Sequence, residues 1–184
     1  MMRLPRPHHA LAMVALLAAT TPFAAAQTAP LAVPGASVAR DMPEAQELPD
    51  PKATYKIVFD VQTMADKPGE ISPALQSIGW LINTYTHAGV ALSHLQMTAV
   101  FHGKTIALVT RDPVYQQRLN AATNPNAPLL KELIAAGVHM VTCGQSALAQ
   151  HYTPADYLPG VQTNLSATVT FLNLQSRGYV KISE

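Results

Sequence analysis

The sequence predicts an α/β fold, a mostly parallel sheet covered by helices on both faces. Two observations predict it. From residue 55 onward, short β-branched and aromatic runs alternate with apolar patterns of helical period. That alternation belongs to parallel strands joined by crossover helices. Polar residues also gather where the strand-like runs stop: Gln62 and Thr63, His102 and Gly103, Cys143 and Gly144, Asn164 and Ser166. In open α/β sheets, ligands bind outside the carboxyl ends of the strands.

The elements follow in order. YKIVFDV (55–61) is rich in strand-forming residues. Ile71, Ala74, Leu75, Ile78, Leu81, Ile82 and Tyr85 then form one face of a helix. Ser72 and Pro73 suit its start and Gly89 its stop. LQMTAVFH (95–102) alternates as a second strand. KTIALVT (104–110) reads as an extra strand or a pocket-lining loop. Asp112 looks like an N-cap with Pro113 at the first helical position. Leu129, Leu130, Leu133 and Ile134 mark another helix, closed by Gly137. VHMVT (138–142) reads as a buried strand, GQSALAQH (144–151) as a short helix and VQTNL (161–165) as a strand. SATVTFLNLQSR (166–177) has the length of a helix, and YVKI (179–182) is the fifth strand.

Ahead of this domain, residues 1–26 read as a secretory signal peptide. Arg3 and Arg6 precede the short apolar run ALAMVALLAA (10–19), and Ala24, Ala25 and Ala26 fit a cleavage site before Gln27. That run is too short to span a bilayer comfortably. The expectation is a periplasmic protein with no membrane span after cleavage. Residues 27–53 carry Pro30, Pro34, Pro43, Pro49 and Pro51 without any period. They are expected to form a flexible arm, either a mobile linker or a strap on the surface. Residues 54–184 form the domain.

Composition narrows the function classes. The chain is 48% hydrophobic and 12% charged with a net charge of +1, which suits one globular domain with a sizeable core. No basic patch stands out, so nucleic acid is not expected as a partner. Histidines in a metal-binding spacing and a glycine-rich phosphate loop are missing from the sequence; no metal or cofactor is expected.

The single cysteine, Cys143, carries the most chemistry. At the end of a strand and the start of a helix it would meet unpaired N–H groups and the positive end of the helix dipole, both of which favour thiolate. Gly144 and Ser146 are small and would leave room for approach. The competing reading is a buried thiol that only fills space. With no second cysteine, a dithiol cycle within one chain is excluded. His102 also ends a strand and is a site-lining candidate or a turn histidine. If one strand lay between it and Cys143, about 10 Å would separate the two ends. Asp60 is either a site carboxylate or a turn former.

Three stretches, in order, resemble the DsrE/DsrF-like family, especially its secreted stand-alone branch. They are Asn83 followed by VFHG (100–103), LLKELIAAGVHMVTCGQS (129–146), and LPGVQTNLSATVTFLNLQSRGYVKI (158–182). The resemblance implies a three-layer α/β/α sandwich with a mostly parallel five-stranded sheet. It also implies assembly into a homo-oligomer, expected as a dimer or trimer. Some members relay sulfur as cysteine persulfides. This implies Cys143 as a persulfide acceptor, with His102, Gly103, Gly144, Gln145, Ser146, Asn83 and Ser166 around the substrate and a sulfur-donor or acceptor protein as partner. The alternative is a non-catalytic module of the same fold, which binds a small ligand or partner and keeps Cys143 as packing.

Overall fold

The computed structural model describes residues 30–184; the segment read as a signal peptide lies outside them. Five strands form one sheet: β1 (Tyr55–Val61), β2 (Leu95–Phe101), β3 (Val138–Cys143), β4 (Val161–Asn164) and β5 (Val180–Ser183). They pair in the order β4-β3-β2-β1-β5, and every pair is parallel. All five strands therefore end on one edge. The helices are α1 (Pro73–His87), α2 (Asp112–Leu119), α3 (Ala127–Ala135), α4 (Gly144–Ala149) and α5 (Ala167–Gln175).

Strand alternation sorts the side chains into two layers. Ile57, Phe59 and Val61 of β1, Met97, Ala99 and Phe101 of β2, and Val138 and Met140 of β3 pack against α1 and α3 in the main core. Their in-between neighbours Val58, Val100, Val141 and Cys143 face α5, through Ala167, Phe171 and Leu174. Among the described residues α5 alone covers the second face, so the sandwich is thin on that side.

Chain direction follows from this layout. β1, β2 and β3 each leave towards the main-core face, where Ala147 of α4 also packs. β4 leaves towards the other face, and α5 carries the chain back across the sheet to β5 beside β1. The carboxyl ends of β3 and β4 are therefore the place where successive connections diverge, the usual crevice of an open α/β sheet.

Two local expectations differ from what forms. KTIALVT is neither strand nor loop; residues Gly103–Val109 make a buried 3-10 helix. Gly103 has φ +53, which turns the chain off β2, and Thr105 Oγ1 then donates to the Val61 carbonyl at 2.8 Å. Asp112 is not an N-cap. Arg111 takes that position, and Asp112 Oδ1 accepts the Asn124 N–H at 2.9 Å.

The proline-rich arm differs more. Residues 30–53 are a strap rather than a mobile linker, and its first part sits deeper than the surface. Val33 is fully buried and Ala36 nearly so, both within the main core. Packing therefore begins well before residue 54. Gly79 on α1 makes room for it: a Cβ there would stand 2.4 Å from the Ala36 Cβ. Asn83, one turn further along, locks the strap. Its Oδ1 accepts the Val33 N–H at 2.9 Å, and its Nδ2 reaches the carbonyls of Val33, Ala36 and Ser37. Asn83 was expected in the substrate site. It lies instead on the opposite face of the sheet from the Cys143 thiol, and its burial is explained by the backbone groups it satisfies.

Asn83→Ala would leave the Val33 N–H and three strap carbonyls short of a partner. A stability loss of about 1–3 kcal/mol is expected in urea denaturation, with new proteolytic cleavage within residues 30–53. An unchanged midpoint together with an intact strap would show that these bonds contribute nothing.

Candidate functional site

Cys143 is the last residue of β3 and the N-cap of α4. Its sulfur accepts the Ser146 N–H at 3.5 Å. This is the position at which a serine or aspartate side chain usually satisfies a free helix donor. The residue is only 5% exposed. Burial pushes the thiol pKa up; the Ser146 hydroxyl and the N–H groups of Ser146, Ala167 and Gln145 pull it down, and the balance lies below the ordinary thiol value. The groups that lower it lie on two elements, Gln145 and Ser146 at the start of α4 and Ala167 at the start of α5, and of them the Ser146 N–H is the one within hydrogen-bond distance of the sulfur. A sulfur anion is thus met by N–H groups from both sides of the diverging crevice.

Gly144 makes that arrangement possible. A Cβ at Gly144 would stand 2.7 Å from the Asn164 carbonyl oxygen and 3.2 Å from that of Leu165. The expectation that Gly144 leaves room for approach is corrected: the space is already filled by the β4–α5 turn. Beside it lies a crevice of about 360 Å³ lined by Gly144, Gln145, Leu148, Tyr157, Asn164 and Leu165, and Cys143 is not part of its lining. Leu148 and Leu165 stand exposed at its rim.

His102 is closer to Cys143 than the sequence suggested. β2 and β3 are direct neighbours, paired through Phe101 and Thr142. His102 and Cys143 are the next residues on each strand, about 4.8 Å apart across the sheet. The earlier distance assumed an intervening strand, and there is none. His102 Nε2 bonds Asp60 Oδ1 at 2.7 Å. Asp60 Oδ2 takes Lys181 Nζ at 2.6 Å and Gln62 Nε2 at 2.9 Å. The Asp60 side chain is 4% exposed. Burial pushes its carboxyl pKa up, but the bonds from Lys181, His102 and Gln62 outweigh it and hold the pKa below the usual carboxylate value. Asp60 is therefore a buried, fully partnered anion rather than a turn former. Lys181 also lies over the Phe171 ring at 4.5 Å.

The remaining candidates divide. Ser146 and Gln145 bear on the thiol through their N–H groups. The Gln145 side chain itself reaches the Leu165 carbonyl at 3.4 Å. Ser166 caps α5, accepting the Val169 N–H at 3.1 Å, and so fixes the helix start that presents Ala167 to the sulfur. Gly103 supports the edge through its carbonyl, which accepts Gln150 Nε2 at 2.9 Å. Lys181 and Phe171 escaped sequence reading. The available signal was parity: Lys181 pairs with Val58, on the same face of the sheet as Asp60. Among the described residues, no group of three or more His, Cys, Asp or Glu is placed to hold a metal ion. None of the helices in that range is long and apolar enough to cross a membrane.

A parallel α/β sandwich with one thiol at its diverging strand ends defines the class of protein. Residues 43–183 match the DsrE/DsrF-like family, and the chain belongs to it. Among solved structures, it is similar to a protein of unknown function, MTH1491, from Methanobacterium thermoautotrophicum. The TM-score is 0.53 at 19% identity, covering 71% of this chain and 99% of that one. At that identity the likeness carries the fold alone. No sequence among the curated proteins matches this chain.

The donors around Cys143 give a signed expectation. Titrated by thiolate absorbance against a Cys143→Ser blank, the native thiol should ionise at lower pH than in the unfolded chain. A depressed folded pKa stabilises the native state above the unfolded value, and that stability is lost as pH falls through the folded value. The stability gap between wild type and Cys143→Ser should therefore widen as pH rises. A midpoint at or above the unfolded one would contradict this geometry.

Proposed function

We propose that this protein is a sulfur carrier in which Cys143 accepts sulfur as a persulfide. The observation that supports this reading most is the set of N–H groups around the sulfur, from Gln145, Ser146 and Ala167, joined by the Ser146 hydroxyl. Family membership supports it too, since sulfur relay is associated with the family. In the reaction, the Cys143 thiolate attacks the outer sulfur of a donor persulfide, R–S–SH. The donor S–S bond breaks, an S–S bond to Cys143 forms, and the electron pair leaves on the donor thiolate. Nothing is oxidised or reduced overall.

One observation favours the alternative, a binding module with a packing cysteine: Cys143 is almost completely buried. Intact-mass analysis after exposure to a small-molecule persulfide separates the two. The carrier gains the mass of one sulfur atom, and Cys143→Ser gains none while remaining folded. Under the alternative, wild type gains nothing, and the serine variant loses about 1–3 kcal/mol because its hydroxyl is buried without a suitable partner.

We also propose an exported homo-oligomer. The order of charged, apolar and small-residue regions in residues 1–26 supports export. Leu165, Val169 and Leu172, exposed along one side of the α5 segment, support assembly. Periplasmic material should begin at Gln27 and scatter light as a multiple of one chain. An intact Met1, or only single chains at micromolar concentration, would count against these two proposals respectively.

A further inference from the structure

Asp60, His102 and Cys143 stand at the ends of three successive strands in the sheet, β1, β2 and β3. All three belong to the parity that faces α5. No other histidine among the described residues bonds a buried carboxylate; His87 meets the exposed Asp41. We propose that His102, oriented by Asp60, takes the proton from Cys143 and returns it to the departing thiol during sulfur transfer. This deepens the sulfur-acceptor reading and rests on it.

The hydrogen bonds assign the two nitrogens of the ring. Lys181 and Gln62 occupy Asp60 Oδ2, which leaves Oδ1 to His102. A carboxylate accepts only, so Nε2 carries its hydrogen in both charge states of the ring. The proton that comes and goes is therefore on Nδ1. That nitrogen is the one Asp60 does not hold, and His102 and Cys143 end neighbouring strands on the same face of the sheet. The His102 side chain is 33% exposed, so the proton can equilibrate with water and an incoming donor can reach the ring. The Phe171 ring meets it edge-on, 6.5 Å between centroids, and gives that side of the imidazole an apolar wall. The charged or titratable groups facing His102 are thus Asp60 from β1, Lys181 from β5 and Cys143 from β3; α5 contributes the uncharged Phe171.

The step balances. The Cys143 thiol gives its proton to His102 Nδ1 and attacks the outer sulfur of R–S–SH. The departing R–S⁻ takes that proton back, so that Cys143–SH and R–S–SH become Cys143–S–SH and R–SH. His102 is the catalytic residue in this scheme. Asp60 is a positioning residue, and Lys181 holds Asp60.

The test uses the full-length protein with glutathione persulfide as donor. His102→Gln should slow sulfur loading about 100-fold, within the usual range for a lost general acid–base group. It should also remove the limb of the pH–rate profile that reports the imidazole. An unchanged rate and profile in this variant, with Cys143→Ser inert, would overturn the proposal. If the wild type takes up no sulfur, the carrier reading fails. The proton link between the two residues is then read by NMR titration of His102 in wild type and Cys143→Ser. A shared proton couples the two sites, so the two titration curves should differ. Identical midpoints would overturn the proposal. The same comparison decides the matter if His102→Gln does not fold.

Discussion

At Gly144 the carbonyls of Asn164 and Leu165 occupy the space where any other residue would place its Cβ. This close approach is the constraint on which the carboxyl edge depends. It draws the start of α5 onto the end of β3, so that the Ala167 N–H bears on the same thiol as the groups of α4. A side chain at 144 would push the two connections apart by the width of a methyl group, and hydrogen bonds to sulfur would not survive that displacement. The chemistry available to Cys143 is thus set by a residue with no side chain.

The same edge carries a second constraint, the buried Asp60 carboxylate. Removing a carboxylate from water costs several kcal/mol, and only well-formed partners offset it. Three donors do so, from β5, from the residue after β2 and from the residue after β1. Each charge-assisted bond contributes about 1.5–3 kcal/mol, so losing a single donor matters more than the net worth of the cluster. This arrangement also ties β5, a short edge strand with largely exposed residues, to the centre of the sheet. Lys181 does so twice, once through Asp60 and once through the face of Phe171.

On the other face, the strap shows how a proline-rich segment becomes part of a domain. Prolines deny it a ladder of its own, so its backbone groups need outside partners. Asn83 supplies them to Val33, Ala36 and Ser37, and Thr84 and Glu132 bond Ala39 and Gly35. Burying Val33 in return stabilises the contact by about 1.5–3 kcal/mol. The family match begins at residue 43, so the buried end of the strap lies outside the matched residues.

Periodicity in the sequence determined the order of strands and helices, the parallel sheet and the edge on which polar residues collect. These are local properties: β-branched runs, helical stripes and turn residues act over a few positions. It also placed Cys143 at a strand end against a helix start, because VHMVT and GQSALAQ meet there. Which strands are neighbours was decided by tertiary structure. Lateral order depends on how crossovers pack, and nothing in the local pattern of β2 or β3 states that they touch. That is why His102 stood too far from Cys143 on paper. It is also why Asn83 looked like a ligand contact and Lys181 drew no reading at all. Their roles come from partners far away in the chain, such as Val33 for Asn83 and Asp60 for Lys181. A polar side chain acquires its function from whichever distant backbone or charge the fold brings within hydrogen-bonding reach.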